Sequence, residues 1–164
     1  MKFRFRNAKL ALAIVGSVTL AACGNDSPTE LEEEHGDAAA VQLVMNGSII
    51  ATFPFDGSNA WSGGEMEVEE GEETPHIDVE FLDEDGDVID WDLSEFYLEV
   101  EVEDVAIAEF EQDTPGEFGG HLHGESVGET NVRFSLMHGA VGTGHADLIT
   151  NWIHAHVEAA TMPN

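Results

Sequence analysis

Eight histidines occur in this 164-residue chain, and six of them stand in its C-terminal third. His121 and His123 are two apart in GGHLHGES, and His154 and His156 repeat that spacing in WIHAHV. Side chains two apart on a strand leave the same face roughly 6–7 Å from one another. At that separation two imidazoles share one metal ion after a small backbone adjustment. His138 and His145 flank the glycine-rich segment GAVGTG, residues 139–144, which can fold them together, and Asp147 follows closely. Neutral imidazole with carboxylate suits Zn(II), Cu(II) or Ni(II), and Asp147 offers either an oxygen ligand or an acceptor for a ligand's second ring nitrogen. The expected ligands are therefore His121, His123, His138 and His145, with His154, His156 and Asp147 in reserve and zinc or copper as the cofactor. His35 and His76 are read as structural. The opposing reading is that exposed strand positions accept histidine readily, so that the cluster is incidental to a bland β-domain.

Other chemistries lack their parts. The serines at 126 and 135 have no Ser-His-Asp context, and no glycine-rich loop leads from a strand into a helix. Carboxylates are so abundant that any two could be named a glycosidase pair, which empties that signal. Asp83, Asp85 and Asp87 alternate around Gly86, but a calcium loop of the EF-hand type places its glycine and its distal glutamate differently. A turn at Asp85-Gly86 accounts for the pattern without an ion. Trp61, Trp91 and Trp152 could floor a sugar site, but core or edge packing accounts for them as well. No enzyme is expected.

The elements that must position the histidines are strands. Apolar residues recur with period two from Ala39 to Val157. VQLVMNGSIIATF joins two apolar runs at Asn46-Gly47, a strong hairpin signal. EMEVE sets Met66 and Val68 on one face, HIDVEFL sets Ile77, Val79 and Phe81 inward, and NVRFSLMH does the same with Val132, Phe134 and Leu136. FYLEVEVED alternates through Val102, and DEDGDVIDW turns at Asp85-Gly86 into a further strand. DLITNWIHAHV reads as one strand with Ile149, Ile153 and Val157 inward and Thr150, Trp152, His154 and His156 outward. About nine short strands without helical periodicity predict an all-β antiparallel sandwich.

The N-terminus reads as an address. Lys2, Arg4, Arg6 and Lys9 precede the apolar run from Leu10 to Val18, which is too short to span a bilayer as a mature helix. Leu20-Ala-Ala-Cys23 follows, with the small residues of a secretory cleavage site. This arrangement resembles the lipobox of bacterial lipoproteins. The resemblance implies removal of residues 1–22 as a signal peptide, acylation of Cys23 and anchoring in the cell envelope. Gly24 in place of an aspartate favours the outer membrane. Residues 23–38 then form a flexible acidic tether, 39–158 the folded domain and 159–164 a short tail. Cys23 is the chain's one cysteine, so acylation leaves no thiol for a disulfide, a nucleophile or a thiolate metal site.

Cleavage also changes the charge. Four of the five basic residues leave with the signal, and Arg133 remains against 34 Asp and Glu, a formal −33 with neutral histidines. Such a surface repels nucleic acid and anionic lipid and attracts cations. Adaptation to a saline habitat is the simpler explanation, because the carboxylates spread along the whole domain.

Within that domain, Asp104-Val105-Ala106-Ile107-Ala108, FLDEDGDVI and the turn at Gly128-Glu129-Thr130 resemble the second half of bacterial Ig-like domains, over roughly residues 65–157. The resemblance implies an Ig-like sandwich used as a spacer, adhesion or ligand-presenting module, and no catalytic residues. The histidines and the insertion GAVGTGHAD depart from that family. The function expected is a lipid-anchored envelope binding module holding a transition metal; the alternatives are a spacer or adhesin with incidental histidines, or a partner subunit that delivers metal to, or covers, a larger envelope complex.

Overall fold

A computed structural model describes residues 37–161; the expected signal peptide, Cys23 and the expected tether up to Gly36 lie outside the described residues, as do residues 162–164. Eleven strands follow one another: β1 (Ala40–Met45), β2 (Ser48–Pro54), β3 (Ser62–Gly63), β4 (Met66–Glu69), β5 (Ile77–Leu82), β6 (Phe96–Val102), β7 (Ala108–Glu111), β8 (Gly119–Gly124), β9 (Gly128–His138), β10 (His145–Ile149) and β11 (Ile153–Glu158). The order in one sheet is β3-β2-β1-β5-β8-β7. In the other, β9 pairs with β6 along one edge and with β10 and then β11 along its opposite edge, and β4 lies outside β11.

The hairpin expected at Asn46-Gly47 forms because both residues adopt positive φ, 54° and 72°, the twist that joins two antiparallel strands in two residues. Alternation then does the rest. Val41, Leu43, Ala51, Phe53, Ile77, Val79, Phe81 and Leu122 face inward from the first sheet. Met66, Val68, Val132, Phe134, Leu136, Ile153, Ala155 and Val157 meet them from the second, in one apolar cluster. Trp61 folds over this core against Phe53 and Phe134, and its Nε1–H donates to the Asn151 carbonyl at 2.7 Å. The molecule is an all-β sandwich, as the periodicity predicts.

Three local expectations are corrected. Pairing is not antiparallel throughout, since β4 runs parallel to β11. The segment after Asp85-Gly86 turns but starts no strand, and contributes only the isolated bridge Leu82↔Val88. There Asp83 Oδ1 accepts the Asp85 and Asp87 amides at 3.0 and 2.9 Å, so its carboxylate closes the turn. DLITNWIHAHV, finally, is two strands. A bulge between Ala146 and Leu148 and the break at residues 150–152 shift the phase. Ile149 is consequently 52% exposed, whereas Thr150 is buried, its hydroxyl accepting the Phe134 N–H at 3.1 Å.

Candidate metal centre

The β9–β10 hairpin brings His138 and His145 together. They are directly opposed in the ladder, and their ring centroids lie 5.4 Å apart. The connecting GAVGTG bends at Gly139 and Gly142, both at positive φ. Gly144 is glycine for lack of room: a Cβ there would stand 2.5 Å from the His138 carbonyl oxygen and 2.9 Å from Tyr97 Cε1. The bulge keeps Asp147 beside both histidines. Asp147 Oδ1 lies 3.1 Å from His145 Nε2 and Oδ2 lies 3.8 Å from His138 Nδ1, while the aspartate side chain is 1% exposed. Across the strand, the His138 ring stacks on Phe96 at 4.6 Å and 17°, which fixes its orientation. Its Nδ1 is buried and has no hydrogen-bond partner among the described residues. One donor atom from each of His138, His145 and Asp147 falls within 4.8 Å of the other two.

His121 and His123 lie elsewhere. They occupy β8 in the other sheet, on its outer face, with Leu122 between them in the core. The quartet expected from spacing is therefore divided into two pairs on separate sheets, because β8 and β9 belong to different layers of the sandwich. The two also take different partners. His123 Nε2 lies 3.5 Å from Glu73 and 3.4 Å from Glu111 carboxylate oxygens. His121 Nδ1–H donates to the Thr74 carbonyl at 2.9 Å. That carbonyl holds the His121 imidazole above its ordinary pKa; burial opposes the shift, and Asp113, Glu73 and Glu111 add to it.

The second spaced pair behaves as its alternation predicts. His154 and His156 point outward from β11 between buried Ile153, Ala155 and Val157. His154 Nδ1 meets Glu65 at 2.7 Å and its Nε2 lies 3.8 Å from Glu129. His156 is cross-strand from Glu67 and Glu129 on the same face. Arg133 sits over the Trp152 ring at 4.6 Å and pairs with Glu101.

One histidine read as structural belongs with these. His76 lies edge-on to His121 at 5.2 Å, and His76, Asp113 and Glu117 also offer donor atoms within 4.8 Å of one another. The available signal was His76-Ile77-Asp78 at a strand start, where buried Ile77 forces both neighbours outward. Asp113 and Glu117 carried none, since the loop that folds them back has no periodicity.

No protein-family model matches the chain, and no curated protein does. Among solved structures it is similar to the crystal structure of the S-layer protein SbsC domains 4 and 5, with a TM-score of 0.42 and 15% identity. That match covers 58% of this chain and 47% of the other, so the chain spans about half of the structure it resembles.

Proposed function

We propose that this chain is a lipid-anchored envelope module that binds a divalent transition metal through His138, His145 and Asp147. The observation that carries the reading is the buried, unbonded Nδ1 of His138, facing a carboxylate withdrawn from water. A buried polar atom with no partner costs about 1–3 kcal/mol, and a metal ion at this point supplies the partner. Donors about 2.0–2.2 Å from a tetrahedral ion stand about 3.4 Å apart; here His145 Nε2 and His138 Nδ1 lie 3.1 and 3.8 Å from different oxygens of the Asp147 carboxylate, close enough for small side-chain shifts to seat such an ion. Three protein ligands leave one position open to water or to a donor from a partner. Imidazole and carboxylate without thiolate favour Zn(II), Cu(II) or Ni(II) over softer ions.

Titrating the full chain with zinc chloride tests this. Bound metal raises the melting temperature by mass action, with about 2.7 kcal/mol of stabilisation at a hundredfold excess over Kd. His138→Ala with His145→Ala removes that component, and acidification through the histidine range releases the ion because ligation needs neutral imidazole. An unchanged melt with zinc, copper and nickel would remove the reading. The anchor has its own test: the chain incorporates labelled palmitate in a bacterial host, and Cys23→Ala does not.

A second reading has its own support. His76, His121, His123, His138, His145 and His154 each lie within 4 Å of a carboxylate oxygen. In a chain this acidic, histidine can serve simply as the cation that Lys and Arg supply elsewhere. A spacer or adhesin built in this way would bind no metal under the same titration.

A further inference from the structure

We propose a second divalent-metal site on the outer face of the other sheet, formed by His76, Asp113 and Glu117 with His121 as the fourth donor. It stands on separate residues and does not require the β9–β10 site to bind.

Both imidazoles are held from behind. His76 Nδ1 lies 3.3 Å from Asp78 Oδ1, and His121 Nδ1–H is committed to the Thr74 carbonyl. Thr74 is itself clamped to β8, its amide donating to the Leu122 carbonyl at 3.0 Å and its buried hydroxyl accepting the Leu122 N–H at 3.0 Å. Engaging one ring nitrogen with a carboxylate or carbonyl is how metal-ligating histidines are oriented. The consequence is specific. Both Nε2 atoms face one oxygen, Asp113 Oδ2, at 3.9 and 3.8 Å. These spacings are too long for hydrogen bonds and a few tenths of an ångström wider than the separation of about 3.4 Å between donors sharing a tetrahedral ion.

Glu117 supplies an independent observation. Its Oε1 is buried and has no hydrogen-bond partner among the described residues. An orphaned carboxylate oxygen is costly to keep, and a cation beside it removes the cost. The loop carrying Asp113 and Glu117 is held in shape by Gln112, whose Nε2 donates to the carbonyls of Leu98 and Glu117 and whose Oε1 accepts the Gly116 amide. The space for the His76 ring is made by Gly119: a Cβ on that residue would run into Cε1 and Nε2 of the imidazole. Two nitrogens and two carboxylates, partly shielded, again select the zinc-like ions. Mg(II) retains its waters and prefers an oxygen shell, so it competes poorly here.

The test is calorimetric titration of the full chain with zinc chloride in excess Mg(II), which occupies bare carboxylates. His138→Ala with His145→Ala leaves one equivalent of bound zinc, and adding His76→Asn and Glu117→Gln abolishes it. In the chain with all other residues intact, His76→Asn with Glu117→Gln lowers the stoichiometry from two to one while the far-ultraviolet circular dichroism is unchanged. The proposal is overturned if the His138→Ala, His145→Ala chain binds no zinc. It is equally overturned if His76→Asn with Glu117→Gln leaves the stoichiometry as it was. A result of one equivalent in the parent, lost with His138 and His145, would sink this site and leave the β9–β10 site standing; the converse pattern would do the reverse.

Discussion

Replacing Gly144 with alanine isolates how the β9–β10 hairpin sets its proposed site. Gly144 has no left-handed backbone to protect; what it lacks is room, since the added Cβ would stand 2.5 Å from the His138 carbonyl oxygen. Ordinary contact between carbon and oxygen needs about 0.9 Å more, and that carbonyl is backbone, so β10 must slide relative to β9. Overpacking of this kind costs about 1–3 kcal/mol, or roughly 3–5 °C of melting temperature per kcal/mol for a domain this size. Ligand distances tolerate only about 0.2 Å, so zinc affinity falls about 10–100-fold, the loss typical when a ligand's support is disturbed. Gly142→Ala is the control. It meets nothing within 4 Å but sits at φ +80°, so it costs about 1–2 kcal/mol of backbone strain without moving His138. Stability alone does not separate the two variants; affinity does. Competition against a chromophoric zinc chelator, in chains also carrying His76→Asn and His121→Asn, reads the site alone. If Gly144→Ala is destabilised yet binds zinc as tightly as its parent, the hairpin does not set the ligand geometry and the reasoning fails.

Other outcomes follow from the same structure. Thr150→Val strands the buried Phe134 amide, which now donates to the Thr150 hydroxyl, and lowers stability by about 1–3 kcal/mol in urea titration. Asp92 accepts the Ser94 amide and hydroxyl, which hold its carboxyl below the ordinary aspartate value. A depressed carboxylate contributes stability that is complete at neutral pH and is lost as pH falls through the folded-state value; carboxyl NMR should place the Asp92 midpoint below that of an unstructured aspartate, and Asp92→Asn should flatten the acid limb accordingly. Raising sodium chloride from 0.1 to 1 M shortens the screening length from about 10 to about 3 Å, so the melting temperature rises, with sodium sulfate and sodium chloride compared at matched ionic strength to separate screening from ion exclusion.

Much of the architecture was readable before folding. Strand periodicity is a property of successive residues, and a buried face demands it, so Ile77, Val79 and Phe81, or Val132, Phe134 and Leu136, declare their orientation locally. Asn46-Gly47 declares its turn because few dipeptides adopt two positive φ angles cheaply. The pairing of His138 with His145 was legible too, since a glycine-rich link of six residues leaves the chain little choice but to reverse. What failed was phase and layer. The bulge at Asp147 inserts one residue that no pattern announces, and it turned Ile149 out and Thr150 in.

The sequence by itself determined the strands, their inward faces and the hairpin that gathers one histidine pair, because each depends on neighbours along the chain. Only the tertiary structure decided that His121 and His138 stand in different sheets, and that His76 comes to the Asp113–Glu117 loop from a distant segment. Those placements follow from which strands become partners across the sandwich, a choice made by the whole core at once and written at no single position.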